Sequence, residues 1–406
     1  VGVVAIGAAI GLFLWWRRRH YLEQVRALGW SHVSNPTLGD VADLQVPPFG
    51  LGLSRSVDEL VSGTTAAGFG FRVFEWAYDG EGPRFAERVA CLRLPFALPD
   101  AFLGEPGRVR SGIGCGGRAL AGVEGDDVAV IAPDGSLAKE LARAVAPAVL
   151  AFRQATGVSD LGIDGNQLVA VGAPKDPEVL TGFLASLDTV ALAVAGSGAL
   201  AARQVTPGEP SWFYGHPEWE YVGSDDAVLD LYPVTTGGFG HRTEDLVRGV
   251  RDGIRVDAFR HHWKTEHIET YTDSEGHTHT RTVVDNHTEP VCAFGLPFSL
   301  PAVSVNGRRV GHKVAFESSD FNREFTVRTD DPKFASDVIH PRTMEWLLAV
   351  RPRGWTLGGQ VVMFEVEDHD LLLVDACGEV LRGWLGRIPR FVWADRQLPP
   401  PAYLVE

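Results

Sequence analysis

Six of the chain's 13 histidines fall between Phe259 and Leu296: His261, His262, His267, His277, His279 and His287. Neutral imidazole nitrogens ligate zinc, nickel or copper, and His277-Thr278-His279 sets two rings on one face of an extended strand. The chemistry this would support is metal-assisted hydrolysis, with a nearby Glu or Asp carrying the proton. Pairing across a four-residue turn at 273–276 sets His277 opposite Thr272 and His279 opposite Thr270, and directs His267 to the other face. Three convergent ligands therefore do not follow. An exposed hairpin tip accounts for the same residues, and a pH-responsive contact is a further use of them.

A second group lies downstream. Glu317 and Asn322, in the run ESSDFN, could hold a ligand or position a water, although turn and strand-entry chemistry uses the same residue types. Arg342, directly after Pro341, offers a guanidinium to a phosphate or carboxylate, or to a surface ion pair. The adjacent Asp330 and Asp331 suit helix capping better than acid–base work. The glycine-rich run at 111–117 has no GK[ST] and reads as a flexible turn. Gly196-Ser197-Gly198 lacks the spacing of a nucleophile elbow. Cys91, Cys115, Cys292 and Cys377 form no CxxC pair and read as buried thiols. With no complete motif, no cofactor is expected.

These residues need elements to position them. Segments 254–272 and 277–290 alternate around a turn and predict a long hairpin. Alternation from Phe321 to Thr329 predicts another half-buried strand. Asp331-Pro332 supplies an N-cap and a first-turn proline, so a helix is expected there, broken at Pro341 before Met344, Trp346 and Leu347. Residues 360–367 and 370–375 read as short strands, followed by a helix over 378–388. Extended segments first and helices later indicate an α+β class with antiparallel sheets.

At 406 residues the chain exceeds one ordinary core, so two domains are expected. Its 45% hydrophobic and 22% charged content excludes wholesale disorder and a polytopic membrane protein. Against 37 Lys and Arg stand 52 Asp and Glu, and the resulting charge of −15 disfavours nucleic acid as a partner.

The apolar run VGVVAIGAAIGLFLWW opens at Val1, closes at Trp16 and is followed by Arg17, Arg18 and Arg19. Sixteen helical residues span about 24 Å of a roughly 30 Å hydrocarbon core, and the flanking tryptophans and snorkelling arginines extend the usable length. A signal peptide would carry its charge before the run and small residues after it. The run is therefore expected to be a transmembrane helix with the lipid bilayer as its partner. The arginine side faces the cytoplasm by the positive-inside rule, where free thiols persist.

The two halves match in order. Trp30 corresponds to Trp219, the run Glu59-Leu60-Val61-Ser62-Gly63 to Asp245-Leu246-Val247-Arg248-Gly249, and Phe74 to Phe259. Leu94-Pro95-Phe96-Ala97-Leu98-Pro99 matches Leu296-Pro297-Phe298-Ser299-Leu300-Pro301. Val130, Asp134 and Ala138 share the spacing of Val327, Asp331 and Ala335, and Gln167-Leu168-Val169 falls on Gln360-Val361-Val362. The expected organisation is an anchor over 1–20, tandem duplicated α+β units over 21–204 and 216–395, a linker over 205–215 and a tail over 396–406. Residues shared by both copies serve the fold, so features confined to one are the better functional candidates.

The run GGFGHR at 237–242, the LPF strand and the passage ESSDFNREFTVRTDDPKFASDVIHPRTMEWLL resemble an uncharacterised bacterial family of single-pass membrane proteins, common in high-GC Gram-positive species, with a cytosolic domain of unknown function. The resemblance covers the anchor and most of the second unit. It implies a membrane anchor and a cytosolic body, and it supplies no activity. The resulting expectation is a membrane-anchored, non-catalytic binding or scaffold protein with an unidentified protein partner. Two alternatives are a metal-assisted hydrolase using His277 and His279 and an anchored module outside the cytoplasm.

Overall fold

The structure is a computed structural model that describes residues 2–79, 83–105, 121–124, 127–206, 211–214, 216–272 and 277–402. Cys115, the glycine-rich run at 111–117 and the turn at 273–276 lie outside the described residues. The chain divides into Val1–Pro217 and Glu218–Glu406. Both are α+β, and their named strand pairs are all antiparallel.

In the first unit, helix α1 (Gly2–Ala27) leads into strands β1 (Ser31–Val33), β2 (Leu53–Thr64), β3 (Gly70–Asp79), β4 (Phe85–Arg93), β5 (Ala101–Gly104), β6 (Ala121–Glu124) and β7 (Ala129–Ala132). Helix α2 (Gly135–Thr156), the hairpin β8 (Leu161–Asp164) and β9 (Gln167–Val171), and helices α3 (Pro177–Ala195) and α4 (Gly198–Ala201) follow. The sheet runs β1-β2-β3-β4-β9-β8-β5-β7-β6. Asp134 caps α2 by accepting the Leu137 N–H at 2.8 Å, and Asp176 caps α3 ahead of Pro177. These caps satisfy N–H groups that have no partner within the helix.

On one face of this sheet α2 and α3 bury Leu141, Val145, Phe152, Phe183 and Leu187, with Phe152 edge-on to Phe183 at 5.2 Å. Residues 38–49 cover the other face with Val41, Leu44 and Phe49 on Phe74 and Trp76. Among the described residues one helix, α3, is long and apolar enough to cross a membrane. Its apolar side chains Leu180, Phe183, Leu184 and Leu187 are buried in this core.

The second unit contains β10 (Trp219–Gly223), β11 (Phe239–Arg251), β12 (Ile254–Thr272), β13 (Thr278–Val305), β14 (His312–Val314), α5 (Ser319–Glu324) and β15 (Val327–Thr329). Helices α6 (Pro332–Val338) and α7 (Pro341–Val350), strand β16 (Trp355–Phe364), and helices α8 (Leu371–Leu385) and α9 (Arg390–Asp395) complete it. The sheet runs β10-β11-β12-β13-β15-β14, with β16 also on β13. Asp331 caps α6 by accepting the Phe334 N–H at 2.9 Å, with Pro332 in the first turn. Pro341 begins α7, so the expected helix and its break are both present.

Three sequence expectations need correction. The predicted strand over 321–329 is helix α5 followed by the short β15: Ser318 caps α5, and Phe321 stacks on Phe325 one turn later at 5.0 Å. The predicted strand over 370–375 is the start of α8, which Asp370 caps. The hairpin register is offset by one residue, with Thr272 opposite Thr278 and Tyr271 opposite His279. Pairing continues without a shift to Arg255 opposite Gly295, so the body of the hairpin rather than its turn fixes the register.

Candidate functional site

The corrected register changes which histidines share a face. Cross-strand partners lie on one side of a sheet, so His261, Trp263, His267 and Tyr271 of β12 share a face with His279, Asp285, His287 and Glu289 of β13. His267 and His279 therefore sit on the same face, contrary to the expectation. His279 stacks on Tyr271 at 5.5 Å, while His267 Nδ1 pairs with Asp285 Oδ2 at 2.8 Å. His277 is exposed just before β13. Among the described residues no three His, Cys, Asp or Glu side chains group to hold a metal ion.

Nearer the body, the same face carries a hydrogen-bonded chain that sequence reasoning missed. Glu289 Oε1 accepts the Thr235 N–H at 3.3 Å and stands 3.1 Å from Nδ1 of the fully buried His261. His261 Nε2 lies 3.0 Å from His241 Nδ1. If the carboxylate fixes the Nδ1–H tautomer of His261, its Nε2 accepts the Nδ1–H of His241, whose own Nε2 carries a lone pair. Trp263 stacks on His261 at 4.9 Å and on His287 at 5.1 Å. The missed partner is His241, which β11 supplies from across the bulge between Phe239 and Arg242.

Glu317 and Asn322 have separate surroundings. Asn322 Oδ1 accepts the Phe316 N–H at 2.9 Å and its Nδ2 donates to the Phe316 carbonyl at 2.5 Å, so the amide braces the entry to α5. Glu317 is exposed.

Arg342, by contrast, lines a cleft of about 1160 Å³ with Trp346, Arg387, Arg390 and Phe391. The helix break at Pro341 places Arg342 in the first turn of α7, and the segment joining α8 to α9 brings the other two arginines. The Arg387 guanidinium lies 4.5 Å from the centre of the Trp346 ring and donates to the Gly383 carbonyl at 2.7 Å. Burial lowers the Arg387 pKa. The His340 ring Nε2–H donates to the Arg387 carbonyl at 3.0 Å and fixes the wall of the cleft. Neither Glu317 nor Asn322 lines it. The arrangement can hold an anion against aromatic surface.

A second polar centre serves the fold. Asp257 is fully buried and accepts from Arg248 Nε at 2.8 Å, Arg255 Nε at 2.5 Å and the Tyr232 hydroxyl at 2.5 Å. Burial, reinforced by the bond to Asp257, holds the Tyr232 phenol far above its ordinary range. The Asp257 bonds in turn raise both arginines.

Compared with protein families and with curated proteins, the chain matches none. Among solved structures it is similar to the crystal structure of the mycobacterial trehalose monomycolate transport factor A, TtfA, at 10% identity over 43% of this chain and 93% of that one, with a TM-score of 0.33. At that score the likeness defines no shared fold.

Proposed function

We propose that the chain is a single-pass membrane protein whose cytoplasmic body binds a ligand without transforming it, through the second of two units that are copies of one fold. The observation that carries this reading is the surface of α1. Leu12, Phe13, Trp15 and Trp16 are 73%, 55%, 59% and 55% exposed, whereas Val25 further along the same helix is 1% exposed. Leaving such side chains in water costs on the order of 1.5–3 kcal/mol each relative to burial, and lipid removes that cost. Arg17 and Arg19 lie over the Phe13 and Trp15 rings, at 5.8 and 5.6 Å, as expected for a helix leaving a bilayer. Arg18 pairs with Glu59 at 3.4 Å and ties the arginine collar to β2.

Register supports the two-copy reading. Strand β2 has pairing irregularities between Leu53 and Ser56 and between Asp58 and Val61, and β11 has them between Phe239 and Arg242 and between Glu244 and Val247. Glu59 and Asp245, matched in sequence, both adopt positive φ, at 51° and 56°. A Cβ on Gly63 would lie 2.7 Å from the Trp30 ring, and one on Gly249 2.8 Å from the Trp219 ring. Each glycine thus admits a tryptophan ring, Trp30 just before β1 and Trp219 at the start of β10.

Topology is tested by labelling an Ala402→Cys chain in a Cys115→Ser background, since Cys91, Cys292 and Cys377 are buried. A thiol reagent that cannot cross membranes should label it only after lysis. Labelling in intact cells would put the body outside.

A further inference from the structure

We propose that Cys292 and Cys377 form a reversible disulfide, with Cys377 as the thiol that a hydroperoxide oxidises first and Cys292 as the thiol that resolves it. The assignment is a modification site within the second unit, and it depends neither on the anchor nor on a bound ligand.

Strand register and helix packing bring the two cysteines together. Cys292 of β13 lies opposite Phe364 of β16, and cross-strand partners share a face of the sheet. Phe294, two residues further along β13, shares that face, and its ring meets Phe364 edge-on at 5.6 Å. Helix α8 lies on the same face. A Cβ on Gly378 would stand 3.7 Å from the Phe294 ring, and the adjacent Cys377 lines one cavity with Phe364. Cys377 is therefore set over Cys292, and the two thiols are hydrogen-bonded to each other. Both are buried, at 2% and 3% exposure. Cys91, by contrast, sits in β4 of the first unit with Arg72 and Val169 as its register partners.

Buried thiols commonly act as small apolar side chains. A sulfur in contact with a second sulfur and set in a cavity wall has a further use. The cavity holds about 680 Å³, and Trp346, Val350, Phe364, Leu373 and Val380 line it beside Cys377. That volume and lining suit a small apolar hydroperoxide, whereas a bulky, charged thiol reagent does not reach a sulfur this buried. The bond to Cys377, and then burial, hold the Cys292 thiol well above its ordinary range. Cys292 thus keeps its proton, and its S–H stabilises the thiolate of Cys377, the form that reacts. In the first step the Cys377 sulfur takes the terminal oxygen of the hydroperoxide. The O–O bond breaks, an alcohol leaves with the Cys377 proton, and Cys377 becomes a sulfenic acid. In the second step the Cys292 sulfur displaces that hydroxyl, which leaves as water with the Cys292 proton, and the S–S bond forms. The two thiols give up two electrons, and the hydroperoxide accepts them. Sulfurs already in contact close to a disulfide by side-chain rotation. The product ties α8, a wall of the cavity, to β13, the strand that pairs with β12, β15 and β16. Two equivalents of a low-molecular-weight thiol restore both cysteines and leave as their own disulfide, as a transient cytoplasmic disulfide requires.

The test treats the detergent-solubilised full chain, in a Cys115→Ser background and without denaturant, with cumene hydroperoxide or hydrogen peroxide, and maps its peptides by mass spectrometry without reduction. Either oxidant should yield one cross-linked peptide pair joining Cys292 to Cys377, lighter by two hydrogens and cleaved by dithiothreitol. Cys91, which burial pushes up to about 12, should stay a thiol, oxidised about tenfold more slowly or not at all. In Cys292→Ala the reaction should stop at the Cys377 sulfenic acid, trapped as a dimedone adduct. In Cys377→Ala, Cys292 should remain reduced and untrapped. The map of the parent chain decides the central point even where a variant fails to fold. No cross-link with either oxidant, a cross-link that forms only after denaturation, or trapping of Cys292 in Cys377→Ala at the rate of Cys377 in Cys292→Ala overturns the proposal.

Discussion

Replacing Asp257 by Ala lowers the stability of the second unit by about 3 kcal/mol. Removing one partner from a buried charge network costs roughly 3–5 kcal/mol, because the remaining charges stay desolvated and unpaired. The lower end applies because the Arg248 and Arg255 side chains still reach solvent, at 28% and 39% exposure, and Arg248 retains Asp225 at 3.1 Å. The Tyr232 hydroxyl also loses its acceptor. For a unit of this size the thermal transition should fall by roughly 10 °C, read by scanning calorimetry. Asp257→Asn keeps one acceptor oxygen and should lie between the two. A transition within 1 °C of the parent would contradict the role given to this carboxylate.

The second large effect is a pH dependence in the first unit. Asp164 is buried, and its Oδ2 accepts the N–H groups of Gln45 at 2.7 Å and Val46 at 2.9 Å. Burial pushes its carboxyl from an ordinary 3.8 up to about 7, with Asp100 and Asp43 adding to the rise and the two N–H bonds opposing it. Below pH 3.8 the side chain is protonated in both folded and unfolded chains. Between there and pH 7 the unfolded chain releases the proton while the native chain holds it, so the stability from this group falls as pH rises. At about 1.4 kcal/mol per pH unit the total is on the order of 4 kcal/mol, and it levels off above pH 7. The stability of the parent relative to Asp164→Asn, measured by denaturant unfolding from pH 4 to 8, should fall across that window. Parallel curves would show that the carboxyl ionises normally in the native chain.

Local chemistry was legible where one residue decides one conformation. Asp331-Pro332 and Pro341 marked a helix and its break because a cap and a missing N–H act on their immediate neighbours. Alternation misled at Phe321 and Phe325, since a spacing of four satisfies both a strand face and a helix turn, and the Ser318 cap settles the choice. The apolar start of α8 likewise resembles a buried strand until Asp370 is recognised as its cap.

Distance along the chain limited what could be read of the sites. Arg342 stood out beside Pro341, but Arg387 and Arg390 reach the same cleft only after α8 has returned the chain. Asn322 looked available for a ligand because its bonds to the Phe316 backbone depend on how α5 is entered. The histidines were visible as a group, yet the chain from Glu289 through His261 to His241 needs three strands in a register that a turn alone does not set. The opposite side chains at matched positions, Arg72 in β3 and Asp257 in β12, each bond a partner of the other sign. Positions matched in sequence therefore carry different charges, which a match of apolar residues does not reveal.

The account turns on the helix that begins the chain, and alkaline carbonate extraction of membranes tests it most directly. The full chain should remain in the membrane pellet, while a chain lacking residues 1–16 should be released and keep the unfolding transition of the body. Release of the full chain by carbonate, or retention of the shortened one, would contradict the anchor.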